Sequence, residues 1–243
     1  KYIELGFEVQ VEAGAGMPCR YSDAQYIEAG ASIVTDPLAL LGNADVVLKV
    51  QRPLLRGEHD VDEVSHMKQG AILLAMLSPY SVPYSLDAYA RAGITAISLE
   101  LVPRISRAQG MDVLSSQSNL AGYRAVLDAV YHFDRVLPMM MTAAGTIAPA
   151  RVMVLGAGVA GLQAIATAKR LGAIVSATDV RPVAKEQVES LGGKFIMVET
   201  DELNDAETSG GYAKEMSEDY KRKQAELVAA TLSKQDIAIC TAL

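Results

Sequence analysis

The sequence predicts an α/β protein of two parallel-sheet lobes, Rossmann-like or flavodoxin-like, the second of them a doubly wound domain. Two observations carry this. The first is a recurring cassette in which a polar helical segment ends at Gly and a short run rich in valine and isoleucine follows. It occurs at Leu5-Gly6-Phe7 to Val11, Ala29-Gly30-Ala31 to Val34, Ala92-Gly93 to Leu99, Leu171-Gly172 to Thr178 and Leu191-Gly192 to Val198. A glycine that closes a helix in the left-handed conformation and hands the chain to a buried parallel strand is the grammar of alternating α/β structure. The second is the turn Gly156-Ala157-Gly158-Val159-Ala160-Gly161, placed between an apolar strand and a helix.

Each element follows in order. Further strands are expected at Asp45 to Val50 and Ala71 to Leu77, and the pattern changes near Pro103. Tyr123, Val126, Leu127, Val130 and Phe133 recur at helical spacing, so Asn119 to Val136 is expected to form a long amphipathic helix joining the lobes. Thr142 to Pro149 reads as a turn-rich lead into the second lobe, which begins with the strand Arg151 to Leu155. After it come glycine loop, helix (Leu162 to Arg170), strand, helix, strand, long loop, helix and strand. The expected division is 1–118 for the first lobe, 119–148 for helix and connector, and 149–243 for the second lobe. The chain begins at Lys1 without methionine and ends straight after an apolar run, so both ends read as truncated, with strands missing from each lobe.

Composition narrows the function. A chain of 243 residues with 50% hydrophobic content suits two compact cores. A net charge of -7 and a pI near 5.0, with no basic cluster, argue against a nucleic-acid partner. Cys19 and Cys240 are far apart, and with His59, His66 and His132 they form no metal-ligand spacing; reduced thiols in a cytosolic compartment are expected. The apolar stretch Val136 to Ala168 is broken by Pro138, Pro149, Arg151 and glycines, so no membrane-spanning helix is expected, nor a signal peptide.

In the glycine turn, Gly156 permits a tight bend, Gly158 lets backbone approach a pyrophosphate, and Gly161 lets helix and strand pack closely. The free N–H groups of the helix N-terminus then face the anion. Ala157 and Val159 complete the loop. Asp179, at the end of the next strand, is placed to accept hydrogen bonds from the adenosine ribose hydroxyls and to repel a 2′-phosphate, which favours NAD over NADP. Val180 and Arg181 follow it; arginine here either accepts a 2′-phosphate or is simply solvated.

Two polar segments stand outside the α/β pattern. Pro103 to Ser118 has too many polar groups for a strand and no helical stripe. It is either a surface connector or, between two lobes, a source of guanidinium, amide, carboxylate and hydroxyl groups for a nicotinamide and its ribose. Glu199 to Ala213 is a long acidic connection in which Gly210-Gly211-Tyr212 offers a hinge and one aromatic, either a lid or an untidy insertion.

Taken together, these residues make the chain resemble the NAD(H)-binding component of proton-translocating NAD(P) transhydrogenase, the α subunit, within the alanine dehydrogenase/transhydrogenase family. The resemblance spans essentially the whole chain. Its most specific stretches are Pro103-Arg104-Ile105-Ser106-Arg107-Ala108-Gln109 through Asn119-Leu120-Ala121-Gly122-Tyr123-Arg124, then Gly156 to Gly161, Asp179-Val180-Arg181, and Gly210-Gly211-Tyr212-Ala213-Lys214. It implies direct hydride transfer between NAD(H) held here and NADP(H) held on a partner domain, coupled to proton movement through a membrane domain. It also implies a homodimer and a peripheral position on the cytoplasmic face of the bacterial inner membrane, or the matrix side in mitochondria. It places Arg104, Asp112 and Ser115 at the nicotinamide end, Gln109 at the ribose and bridging toward the partner nucleotide, and Tyr212 on a closing loop. Gly110 stands where the family often has serine.

Alanine dehydrogenase, the sister enzyme, needs a lysine and a histidine to bind and protonate its keto acid. Here Gln51 follows Lys49-Val50, and Met76-Leu77-Ser78 holds no histidine. A non-catalytic NAD(H)-sensing module is the third reading, distinguished by whether the nicotinamide end is organised at all.

Overall fold

The computed structural model describes residues 1–58, 60–103, 105–198 and 217–242. The chain divides into two compact units, Lys1–Asp112 and Val113–Leu243.

In the first unit, β1 (Gln10–Glu12) and β2 (Ser32–Val34) form a parallel pair linked through helix α1 (Asp23–Glu28). Ser22 and Gln25 start α1 as a reciprocal cap, each side chain satisfying the other's backbone N–H. Helix α2 (Pro37–Asn43) opens with Pro at its first position and the Asp36 carboxylate accepting from the N–H groups of Leu38 and Ala39. Then come β3 (Val46–Gln51), α3 (Glu63–His66), β4 (Ile72–Met76), α4 (Tyr84–Arg91) and β5 (Thr95–Ser98), with β3, β4 and β5 parallel in that order. Leu73, Ala75 and Leu77 point into a core shared with Val47, Leu55, Val64, Tyr89 and Ile94. The expectation of buried parallel strands is met on one face only. Val46, Leu48, Ile72 and Ile97 are exposed, because the described residues supply a covering layer to one side of this sheet.

The second unit starts with helix α5 (Val113–Tyr131), followed by the antiparallel hairpin β6 (Met140–Thr142) and β7 (Gly145–Ile147). Next come β8 (Arg151–Leu155), α6 (Val159–Arg170), β9 (Ile174–Thr178), α7 (Val183–Ser190), β10 (Lys194–Phe195), α8 (Glu218–Leu232) and β11 (Ile237–Cys240). The sheet is parallel throughout in the order β10-β9-β8-β11, so the chain crosses from one side of β8 to the other, as in a doubly wound domain. Val152, Val154, Ala164, Ile165, Ala168, Val175, Ala177 and Val188 form its core.

The cassette glycines Gly6, Gly30, Gly93, Gly172 and Gly192 all have positive φ, as the helix–glycine–strand reading requires. At Gly172 a second reason applies, since a Cβ there would stand 2.6 Å from that of Pro138. Two expectations change. Val113 to Ser118 belongs to α5 and Ser106–Met111 to a 3₁₀ helix, so the polar segment is largely helical. It lacks an apolar stripe because Gly122 and Val126 are the buried positions of α5, and Ser116 turns its hydroxyl back onto the Val113 carbonyl. Thr142 to Pro149 contributes a strand of the hairpin, whose strand residues are all exposed; no burial alternation announces it.

Candidate functional site

The carboxyl end of β8 carries the glycine turn, and each glycine there has a different physical reason. Gly156 has φ +92, donates its N–H to the Thr178 carbonyl at 2.8 Å, and lies so near the start of the segment after β11 that a Cβ would be 2.6 Å from the Ala242 nitrogen. Gly161 sits in the first turn of α6, where a Cβ would be 1.8 Å from the Gly156 carbonyl oxygen. Gly158 differs. It is the residue before α6, in extended conformation, and the nearest atom to a Cβ there would be Arg181 Nη2 at 3.9 Å. Packing within the protein demands glycine at 156 and 161 but leaves 158 open. No side chain caps α6, so its first N–H groups keep their capacity to bind an anion.

Asp179 stands immediately after β9 and is tied to this turn. Its Oδ2 accepts from the Ala157 N–H at 2.7 Å and from Arg181 Nη2 at 2.9 Å; its Oδ1 accepts from the Arg181 backbone N–H and from Arg181 Nε, both at 2.9 Å. The carboxylate is 8% exposed and the guanidinium side chain 20%. Burial acts to raise the Asp179 pKa, but the hydrogen bonds from the Arg181 side chain and from the Arg181 and Ala157 N–H groups outweigh it and hold the carboxyl below its ordinary value. Arg181 is therefore not simply solvated. Val180, with Met197 and Val198, packs against the buried Tyr220.

Gly156, Ala157, Gly158, Val159, Gly161, Asp179, Val180 and Arg181 thus converge at the carboxyl ends of β8 and β9. Gln109 is exposed in the 3₁₀ helix of the first unit, Asp112 ends that unit, and Ser115 is half-buried in the first turns of α5. Arg104, Gly211 and Tyr212 lie outside the described residues.

Three positioning residues were not among the site residues expected from the sequence. Thr241 closes the turn from behind, its hydroxyl donating to the Gly156 carbonyl at 2.8 Å. Gln224 of α8 donates to the Thr178 hydroxyl at 2.8 Å, just before Asp179. Gly122 of α5 lets that helix cross α6 so closely that a Cβ would stand 2.0 Å from the Ala160 oxygen. Only Gly122 had a hint, as the glycine of a resemblance-bearing stretch.

At the carboxyl ends of the first unit's strands, Gln51 is exposed and the Lys49 ammonium pairs with Glu63. Ser78 adopts φ +50, and its N–H and that of Leu77 donate to the Glu100 carboxylate.

Fold and turn together define a Rossmann-like α/β protein with a dinucleotide-type glycine turn. Family models place it further: the alanine dehydrogenase/PNT N-terminal domain matches residues 1–121 and the corresponding C-terminal domain residues 125–243, and the chain belongs to that family. It is 58% identical over 243 residues to the first polypeptide of the NAD(P) transhydrogenase alpha subunit of Rhodospirillum rubrum, covering 100% of this chain and 63% of that protein. Among solved structures it is similar to the transhydrogenase of Sinorhizobium meliloti, with TM-score 0.86 and 54% identity over 100% of this chain and 63% of that one. It is also similar to an L-alanine dehydrogenase, with TM-score 0.66 and 25% identity over 79% of this chain and 53% of that one. The chain thus spans somewhat under two thirds of the length of these transhydrogenase relatives. No described helix is long and apolar enough to cross a membrane.

Proposed function

We propose that this chain is the NAD(H)-binding part of a proton-translocating NAD(P) transhydrogenase, exchanging hydride directly with NADP(H) held on a partner domain. The observation that carries the reading is the open Gly158 turn, set beneath uncapped α6 and beside the anchored Asp179 carboxylate. That donor and acceptor set fits a dinucleotide. The missing Cβ at Gly158 admits a pyrophosphate, the α6 N–H groups bind its charge, and Asp179 accepts from the adenosine ribose.

NAD(H), when bound, supplies the nicotinamide carbon that gives or takes the hydride. A hydride passed between two nicotinamide rings needs no side-chain acid or base, so the protein's task is positioning and exclusion of water. Arg104, Asp112 and Ser115 would orient the nicotinamide end, Gln109 the ribose, and Tyr212 would close over it. The partners in this reading are the NADP(H)-binding domain, a membrane domain and a second copy of the chain, at the cytoplasmic face of a bacterial inner membrane or on the matrix side in mitochondria. Keto-acid reduction is disfavoured by Gln51 in the lysine's place and by the lack of a histidine in Met76-Leu77-Ser78, which leaves no acid to protonate a substrate oxygen.

The test is hydride transfer from NADPH on the recombinant partner domain to an NAD analogue on the full-length protein, followed by absorbance. Rapid transfer without pyruvate or ammonia is expected. Pyruvate-dependent NADH oxidation would replace the reading with a dehydrogenase, and tight NADH binding with neither activity would replace it with a sensor. Asp179→Ala is expected to cost about 1.5–3 kcal/mol of NADH affinity, the worth of a charged hydrogen bond; unchanged binding would refute the ribose assignment.

A further inference from the structure

An ionised carboxylate has about four acceptor sites. At Asp179 four contacts are made within the protein: one from the Ala157 N–H of the turn, one from the Arg181 backbone N–H and two from the guanidinium of Arg181. A ribose hydroxyl therefore finds an acceptor there only when one of these donors withdraws. The backbone donors of Ala157 and Arg181 are fixed by the chain path at the ends of β8 and β9, whereas the guanidinium sits at the end of a long flexible side chain and is the group that can withdraw. It also reaches the ligand side of the turn, since Arg181 Nη2 is the nearest atom to the open position at Gly158.

We propose that Arg181 is a specificity-determining residue that competes with the adenosine ribose for Asp179 and sets how strongly NAD(H) is preferred over NADP(H). The inference rests on the dinucleotide reading of this turn. While paired, Arg181 cancels the carboxylate charge that would repel a 2′-phosphate. Once displaced, it is a guanidinium within reach of the same ribose edge, able to pair with a phosphate placed there. Both effects weaken discrimination, and the first also lowers affinity for NADH, because each binding event must break charged hydrogen bonds before it makes new ones.

The experiment is calorimetric titration of the full-length protein with NADH and with NADPH, for wild type, Arg181→Met and Arg181→Lys. Methionine keeps much of the side-chain length without donors or charge, and the backbone N–H of residue 181 is retained in both variants. Arg181→Met should bind NADH about tenfold more tightly and NADPH about tenfold more weakly, the scale of one charged hydrogen bond gained or lost. Arg181→Lys, which keeps the charge, should return NADPH affinity to within about threefold of wild type. An unchanged ratio of the two affinities in Arg181→Met, or weaker NADH binding, overturns the inference while leaving the dinucleotide reading intact. A wild-type protein that binds neither nucleotide overturns both.

Discussion

Gly122→Ala sets two opposed effects against each other at one atom. In the interior of an exposed helix, replacing Gly with Ala stabilises by up to about 1 kcal/mol, because Gly loses more conformational freedom on folding. Gly122, however, faces α6 at its closest approach, where a Cβ would lie 2.0 Å from the Ala160 carbonyl oxygen and 2.8 Å from its carbonyl carbon. Ordinary contact begins near 3.4 Å, so the two helices must part by roughly 1.4 Å, and the obstructing atoms are backbone that cannot rotate aside. Overpacking of this kind costs about 1–3 kcal/mol, and with backbone as the obstacle the upper part of that range applies. The clash wins, leaving a net loss of about 1–2 kcal/mol and a fall in Tm of about 2–8 °C. Because Ala160 belongs to the first turn of α6, beside the open glycine turn, NADH affinity should fall with it. Thermal unfolding by circular dichroism and NADH titration on the same samples measure both. A variant as stable as wild type, or more so, would show that helix propensity dominates and that the α5–α6 crossing is not tight.

Gly158→Ala should separate ligand from packing, since a Cβ at this position meets no protein atom closer than 3.9 Å. Tm should change by no more than about 3 °C while NADH binding weakens tenfold or more, on the order of 1.4 kcal/mol; equal NADH affinity would remove Gly158 from the site. In the first unit, hydrogen bonds from Arg52 and Tyr84 hold the Glu58 carboxyl down to about 2 from an ordinary 4.5. A depressed carboxyl pKa stabilises the folded state fully above pH 4.5, and this contribution fades as pH falls toward 2. Melting curves taken across that window should show a shallower pH slope for Glu58→Gln than for wild type; parallel slopes would refute the linkage. Gln109→Asn should slow hydride transfer in stopped-flow measurements by about tenfold while changing NADH affinity less than about twofold, as expected for ring alignment rather than uniform binding. A matching loss of affinity would make Gln109 a simple binding residue.

Much of the second unit could be read from residues alone because its signals are local. The strand Arg151–Leu155 appears as expected end to end, an apolar run closed by Gly156; Ile174–Thr178 follows Gly172 as the cassette requires, and the spacing from Gly156 to Asp179 is the length of one helix and the strand after it. Local signals fail where exposure removes the pattern. Val113 to Ser118 is a run of mostly serine and glutamine that looks like a loop, and the β6–β7 hairpin buries none of its strand residues, so neither shows a period.

What the sequence alone determined is the succession of strands and helices from β8 on, the positive-φ glycines of the cassettes, and the residue types gathered at the turn. Those depend on backbone sterics and on burial repeating along one chain segment. The tertiary structure decided which residues meet. Residues far apart in sequence, Gly156 with Thr241 and Ala242 or Gly122 with Ala160, meet only after the sheet order β10-β9-β8-β11 and the crossing of α5 over α6 are set. The pairing of Asp179 with Arg181 belongs to the same class. Two neighbouring charges could each have faced water, and it is the Ala157 N–H from another strand's end that fixes the carboxylate where the guanidinium can fork onto it.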